Sequence, residues 1–405
     1  MSRTSSWTGL FAANFLGVFN DNFIKSLACF VSIYWLPDHW RSAAISIVSA
    51  MLVIPYIFFS PVGGILAKSK LKRTVLLYAK FFEIPIIMIG CWGFYVESIY
   101  LVSTAIFLMG LQSALYSPSK YGLIRDIGGK ERISFGTGMM EMLIFLGVLT
   151  ATIAASFLSD HYVVSVVCSL MLAVACIGYL SGFLITATEE LPESASNETA
   201  NPLLFIIQSF RWASRIPSLR TVILILSGFW FIAALIQMTI LRHCPSGLHM
   251  TNTETGIVMA LAAIGIAGGC VLSGFLSGSS VKTSLVLIGS IGLSICLSSI
   301  WLFNPSGYYF TILIFLAAFC SGFYKVPLTA WIQEKVEGRM LGEIFAFCNL
   351  MDFIFILFSS IVFGLVASFF GTHHVFLFLA FASVFLCIIT ALFVPGVLFC
   401  KPQPS

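Results

Sequence analysis

The sequence predicts an all-α membrane protein of about twelve transmembrane helices, and three observations carry that expectation. The 405 residues are 59% hydrophobic and only 9% charged. Soluble domains carry about 25% charged residues, so lipid rather than water must solvate most of this exterior. Apolar stretches long enough to cross a bilayer recur along the whole chain, each near the roughly 20 residues a spanning helix needs. Finally, 17 of the 21 Lys and Arg residues fall at alternate ends of these stretches, as a positive-inside bias requires.

The spans are read in order at 9–36, 43–67, 74–96, 99–118, 134–159, 161–185, 218–241, 253–278, 282–303, 308–330, 341–370 and 374–399. The first, fifth and eleventh are longer than a crossing needs, which implies tilt or overhang. Only Arg41 and Arg242 fall on the poorly charged side, and Lys25 and Lys80 lie within spans. The even count and the charge split predict N-in, C-in topology. The net charge of +4 follows from this bias and calls for no nucleic acid partner. The first apolar stretch is too long for a cleaved signal peptide and carries Asp21 and Lys25. The 11 cysteines lie mostly inside spans without a Cys-x-x-Cys pair, as buried inert thiols do. The histidines sit in outer loops or at span ends, and the adjacent pair His373 and His374 reads as solvated, so neither a metal site nor a cofactor is expected.

Thr186 to Arg215 is the longest polar interruption. Its acidic stretch at 189–198 reads as a flexible linker. Pro202 to Trp212 follows as a short amphipathic helix along the inner membrane face. The chain thus divides into an N-terminal six-helix bundle (1–185), a cytoplasmic linker (186–217) and a C-terminal six-helix bundle (218–405). The halves echo one another faintly. Tyr116-Ser-Pro-Ser-Lys-Tyr121 ends the fourth span and Tyr324-Lys-Val-Pro-Leu328 closes the tenth. Each precedes a basic loop and a span bearing an acid, Glu141 and Asp352. Six helices plus six with a cytoplasmic linker is the plan of the major facilitator superfamily.

The chemistry should lie in the charges that a membrane excludes, because each Lys or Asp at a helix centre costs roughly 2.5–3.5 kcal/mol. In the first span Asn14, Asp21 and Lys25 share one helical face, with Asn20 and Asn22 beside it. Asp21 and Lys25 stand i, i+4 with the acid first, the better orientation for an ion pair. A self-neutralised structural pair is the plain alternative to a polar site, but a hydrophobic pair would serve stability as well. Lys80 and Glu83 stand i, i+3 in the third span, Lys120 ends the fourth, and Glu141 lies about two turns into the fifth. Asn349 and Asp352 mark the eleventh. For Lys80, Lys120 and Lys325 the plain alternative is snorkelling to the inner interface. For Glu141 and Asp352 it is a gate or an interhelical ion pair.

These residues also carry a family resemblance. Asn14-Phe-Leu-Gly-Val-Phe-Asn-Asp-Asn-Phe-Ile-Lys25 resembles the first-helix signature of the bacterial lysophospholipid transporter family. Ser117-Pro-Ser-Lys-Tyr-Gly122 is similar to that family's fourth-helix motif, and Gly138 to Phe145 to its fifth-helix motif, with Thr137 in place of the family's Asn. Val326-Pro-Leu-x-Ala330 with Gln333 and Glu334 resembles its tenth helix. The resemblance implies a transporter that moves lysophospholipids, especially lysophosphatidylethanolamine, to the inner leaflet of the bacterial inner membrane. It also implies a cytoplasmic acyltransferase or acyl-carrier-protein synthetase as partner, supplied by another chain. The stretch Gly63-Gly-Ile-Leu-Ala-Lys68 departs from the wider superfamily, which places Asp after Gly-x-x-Ala. That departure bears on the usual gate contact.

A zwitterionic head group needs an anion for its ammonium and a cation for its phosphate. Asp21, Glu141 and Asp352 offer the first; Lys25, Lys120 and Lys80 offer the second. Phe- and Met-rich faces suit an acyl chain. The competing transport reading is a proton-coupled porter of a small polar solute. A membrane-embedded acyltransferase would use a histidine with an Asp four or five residues downstream, which the sequence lacks. A non-transporting receptor on the same fold would tolerate neutralisation of Asp21 or Lys25.

Overall fold

The computed structural model describes residues 3–36, 38–160, 162–189, 200–394 and 396. Apart from Glu189, the acidic linker stretch lies outside them, as do His161 and Lys401. The described residues form thirteen α-helices: α1 (Arg3–Trp35), α2 (Asp38–Ser69), α3 (Lys72–Tyr95), α4 (Ile99–Gly128), α5 (Ile133–Asp160), α6 (Val164–Gly182), α7 (Pro202–Ala213), α8 (Leu219–Gly247), α9 (Asn252–Ser277), α10 (Ser284–Phe303), α11 (Gly307–Lys335), α12 (Met340–Phe370) and α13 (Thr372–Phe393). A single 3-10 turn over Lys130–Arg132 precedes α5.

Eleven of these helices are long and apolar enough to cross a membrane, and this is a multi-pass membrane protein. α1, with 33 residues, has the length as well. Its row of Asn, Asp and Lys side chains dilutes its apolarity. α7, at 12 residues, is too short to span. Large apolar side chains such as Phe58, Trp92, Ile153 and Phe385 stand exposed on the outer faces. In lipid such surfaces are solvated, whereas in water they would drive association.

Two helices outrun the sequence reading. The fourth span was expected to end at 118, yet α4 continues through Pro118 to Gly128, and α11 passes Pro327 to reach Lys335. Tyr116–Ile124 and Ser321–Gln333 are buried almost throughout, so tertiary packing holds the helix where proline removes one backbone donor. Tyr116 to Tyr121 is therefore the polar interior of a helix rather than its end.

The chain groups into two compact units. The first holds residues 1–129, 146–209 and 336–350; the second holds 130–145, 210–335 and 351–405. The core of the first is built by Phe23, Ile24 and Leu27 of α1 with Ile87, Ile106, Met109 and Met171. In the same unit two charged side chains close helix ends. The Glu189 carboxylate accepts from the backbone N–H groups of Lys72 and, at 3.0 Å, Arg73, capping the start of α3 where the helix dipole favours an anion. Arg339 Nη1 donates to the carbonyls of Lys70 (2.7 Å) and Ala67 (3.4 Å), capping the end of α2 with a cation. Lys68, which stands where the superfamily favours Asp, lies 4.0 Å from Glu343.

The core of the second unit is built by Leu235, Leu297, Phe310, Ile314 and Phe376. His243 is buried against Phe310 and Phe376, and its Nδ1 pairs with the Thr372 hydroxyl at 3.0 Å, so it is a packed residue rather than a loop one. The glycines of α9 serve close helix contact. A Cβ on Gly269 would run into the Phe319 carbonyl oxygen of α11, and one on Gly274 would come within 3.0 Å of the Ser134 carbonyl oxygen of α5. Gly269→Val is expected to destabilise the fold by about 1–3 kcal/mol or more, because backbone rather than a side-chain tip must give way. Thermal unfolding of the detergent-purified protein measures this, and an unchanged midpoint would refute the close α9–α11 crossing.

Candidate functional site

Two buried polar clusters occupy the otherwise apolar interior, one in each unit. The first gathers on α1, α3 and α4. Lys80 Nζ and Glu83 Oε2 form an ion pair at 2.6 Å, and both side chains are 1% exposed. Asn20 Nδ2 donates to the other Glu83 oxygen at 2.9 Å. The pair exists because α3 turns residues i and i+3 onto one face and α1 offers Gly17 opposite it. A Cβ on Gly17 would occupy the place of the Lys80 ammonium.

Tyr116 links this pair to Lys120. The ammonium groups of Lys80 and Lys120 each lie 5.7 Å from its ring centroid, and Lys120 lies 5.4 Å from the Tyr121 ring. Lys120 Nζ also donates to Asn14 Oδ1 at 3.1 Å. Lys80 and Lys120 are therefore buried cations held by named partners, not snorkelling ones.

Asp21 is buried too, and its Oδ2 accepts from Ser113 Oγ of α4 at 2.6 Å. Among the described residues no salt bridge joins Asp21 to Lys25. Lys25 instead donates to Asn22 Oδ1 at 3.1 Å, and Asn22 Nδ2 donates to the Val18 carbonyl at 2.9 Å. The i, i+4 spacing allowed an ion pair, but α1 is rotated so that Asp21 meets α4. Lys80, Glu83 and Lys120 lie within electrostatic reach of Asp21. Among the described residues, its Oδ1 and the Nδ2 of Asn14 are buried without a hydrogen-bond partner. A buried unpaired polar atom is costly, so these two mark positions where a polar ligand group gains most. Asn349 stands at the edge of this unit's cluster, donating to Ser117 Oγ at 2.9 Å.

The second cluster centres on Glu141 of α5 and Lys325 of α11, whose charged atoms approach to 2.5 Å. The Glu141 side chain is 0% exposed and that of Lys325 is 4%. The ammonium also lies 4.3 Å from the Trp230 ring and 5.3 Å from the Phe145 ring, an aromatic cage for a cation. About two turns further along α11, towards its end, Gln333 Nε2 donates to Thr137 Oγ1 at 2.7 Å. Asp352 accepts from Ser227 Oγ of α8 at 2.8 Å.

Of the sequence-predicted residues, Asn14, Asp21, Lys80, Glu83 and Lys120 thus come together, with Asn349 beside Ser117. Glu141 and Asp352 belong to the other cluster, and Lys25 donates to Asn22 rather than joining the Lys80–Glu83 pair. Ser113, Ser227 and Trp230 were not singled out, and Tyr116 entered only as part of the motif ending the fourth span. For α4 a signal existed: Ser113, Tyr116, Ser117 and Lys120 recur at the i, i+3, i+4, i+7 spacing of one helical face. Nothing local marks Ser227 or Trp230. Among the described residues no group of three or more His, Cys, Asp or Glu converges as metal ligands do.

A family model for the Major Facilitator Superfamily matches residues 10–309 and, in a second match, 222–404. The chain belongs to the major facilitator superfamily. Its fold agrees: the human organic anion transporter MFSD10 superposes with a TM-score of 0.79 at 12% identity, covering 96% of this chain and 100% of that one. The Escherichia coli fucose:proton symporter FucP gives 0.75 at 13% identity, covering 96% and 98%. In sequence, the chain is 26% identical to the lysophospholipid transporter LplT of Yersinia enterocolitica over 356 residues, 84% of this chain and 81% of that protein. Against LplT of Yersinia pestis the figure is 25% over 372 residues, 89% and 86%. As a major facilitator, the chain is a membrane transporter.

Proposed function

We propose that this transporter moves lysophospholipids, lysophosphatidylethanolamine among them, across the bacterial inner membrane to the cytoplasmic leaflet, where a separate acyltransferase restores the second chain. The observation that carries the reading is the Asp21 cluster. One buried patch offers a carboxylate oxygen without a partner, a second carboxylate and two lysines, set among apolar side chains. A zwitterionic head group presents one ammonium and one phosphate, and this set answers both. Asp21 takes the ammonium, and Lys120 takes the phosphate as a point charge. Similarity to the LplT proteins over most of the chain supports the substrate class.

The cycle is alternating access between six-helix halves, 1–185 and 218–405, joined by the linker 186–217, with both termini in the cytoplasm. The Glu141–Lys325 pair, which ties a first-half helix to a second-half helix, is the contact that such a cycle must break.

A second reading, proton-coupled uptake of a small polar solute, draws on a different feature. Asp21 and Asp352 are buried acids bound by one serine each and, among the described residues, by no lysine or arginine salt bridge. Such acids suit proton carriage.

One experiment separates the two. Cells lacking their own lysolipid import are given labelled lysophosphatidylethanolamine with and without this protein. Label is expected to appear as diacyl lipid only with the protein, and Asp21→Asn is expected to reduce it at least tenfold, a rise of about 1.4 kcal/mol in the transport barrier. No difference, with the protein shown to be in the membrane, would refute lysolipid import and favour the solute porter.

A further inference from the structure

We propose that α7 and the turn into α8 form a binding surface for the head groups of anionic phospholipids, separate from the transported substrate. α7 is a formed helix in its own right, since Asn201 Oδ1 accepts from the N–H groups of Leu203 (3.0 Å) and Leu204 (3.4 Å) at its start. Its faces are sharply divided. Phe205, Ser209 and Ala213 are buried, while Leu203, Leu204 and Ile207 are 72%, 51% and 54% exposed. An apolar face so open, on a helix too short to span, lies in the plane of the membrane interface.

Charge then selects the lipid. Arg211, Arg215 and Arg220 are all exposed, and the Arg220 guanidinium lies 5.4 Å over the ring of Phe210, the residue before Arg211 in the chain. From residue 199 to 253 the chain contains no Asp or Glu. Three guanidinium groups with no acid on their own segment, next to side chains that enter the acyl region, fit a phosphate that sits at the same depth. Zwitterionic lipids carry their own ammonium and gain less there.

The test uses the full-length protein in detergent and a fluorophore-labelled phosphatidylglycerol, with binding followed by anisotropy. Labelled phosphatidylcholine is the control lipid. Arg211→Gln, Arg215→Gln and Arg220→Gln are each expected to weaken phosphatidylglycerol binding about fivefold, and together about a hundredfold. Lys282→Gln, an exposed basic residue elsewhere, and Asp21→Asn, in the candidate transport site, are expected to leave it unchanged. Equal binding of both lipids, or a triple variant that binds like the wild type, would overturn the proposal. Loss of binding on Asp21→Asn would place the lipid in the transport site instead. Displacement by millimolar inorganic phosphate, with the acyl chains contributing nothing, would make the patch a simple anion site and also refute a lipid surface.

Discussion

Glu83→Ala is expected to be among the most damaging single substitutions in this protein, lowering stability by about 3–5 kcal/mol. The reason is the ammonium it strands. Lys80 is 0% exposed, and its charged partner is Glu83 at 2.6 Å. Without the carboxylate the lysine keeps the face of the Tyr116 ring, 5.7 Å away, which repays only part of the desolvation. Asn20 would lose its acceptor as well. Replacing both partners, as Lys80→Met with Glu83→Leu, strands neither charge of the pair and is expected to recover most of the stability. Thermal unfolding in detergent reads both variants. A single variant as stable as the wild type would refute the pair as drawn. The double variant also separates roles, because a stable protein that no longer transports places the pair in the substrate path.

Lys325→Met is expected to reduce lysolipid uptake at least tenfold, with expression retained, by removing the cation of the Glu141 ion pair. The pair is close, at 2.5 Å, and the aromatic rings of Trp230 and Phe145 hold the cation from the other sides. The exchange Glu141→Lys with Lys325→Glu restores the attraction but moves the cation away from the aromatic cage. It should therefore recover part of the loss and not all of it. Uptake in the exchanged protein no better than in Lys325→Met would show that the charges act separately and not as a pair.

The amino-acid sequence by itself determined the class, the number of long helices and which of them carry charge. These are local demands of the bilayer. A crossing needs about 20 apolar residues, and a charge within one stands out against that background. The same locality made the Lys80–Glu83 pair legible, since both partners lie on one turn of α3. What only the tertiary structure decided is who meets whom. Asp21 meets Ser113 of α4 rather than Lys25, Glu141 pairs with Lys325, and Arg339 closes the end of α2. Each choice depends on how a helix is rotated and which helix is its neighbour, and residues far apart in the chain set both. The continuation of α4 past Pro118 has the same origin. Local propensity says stop, while burial of the following turn, with Lys120 held by Asn14 of α1, makes the helix the less costly way to satisfy its backbone.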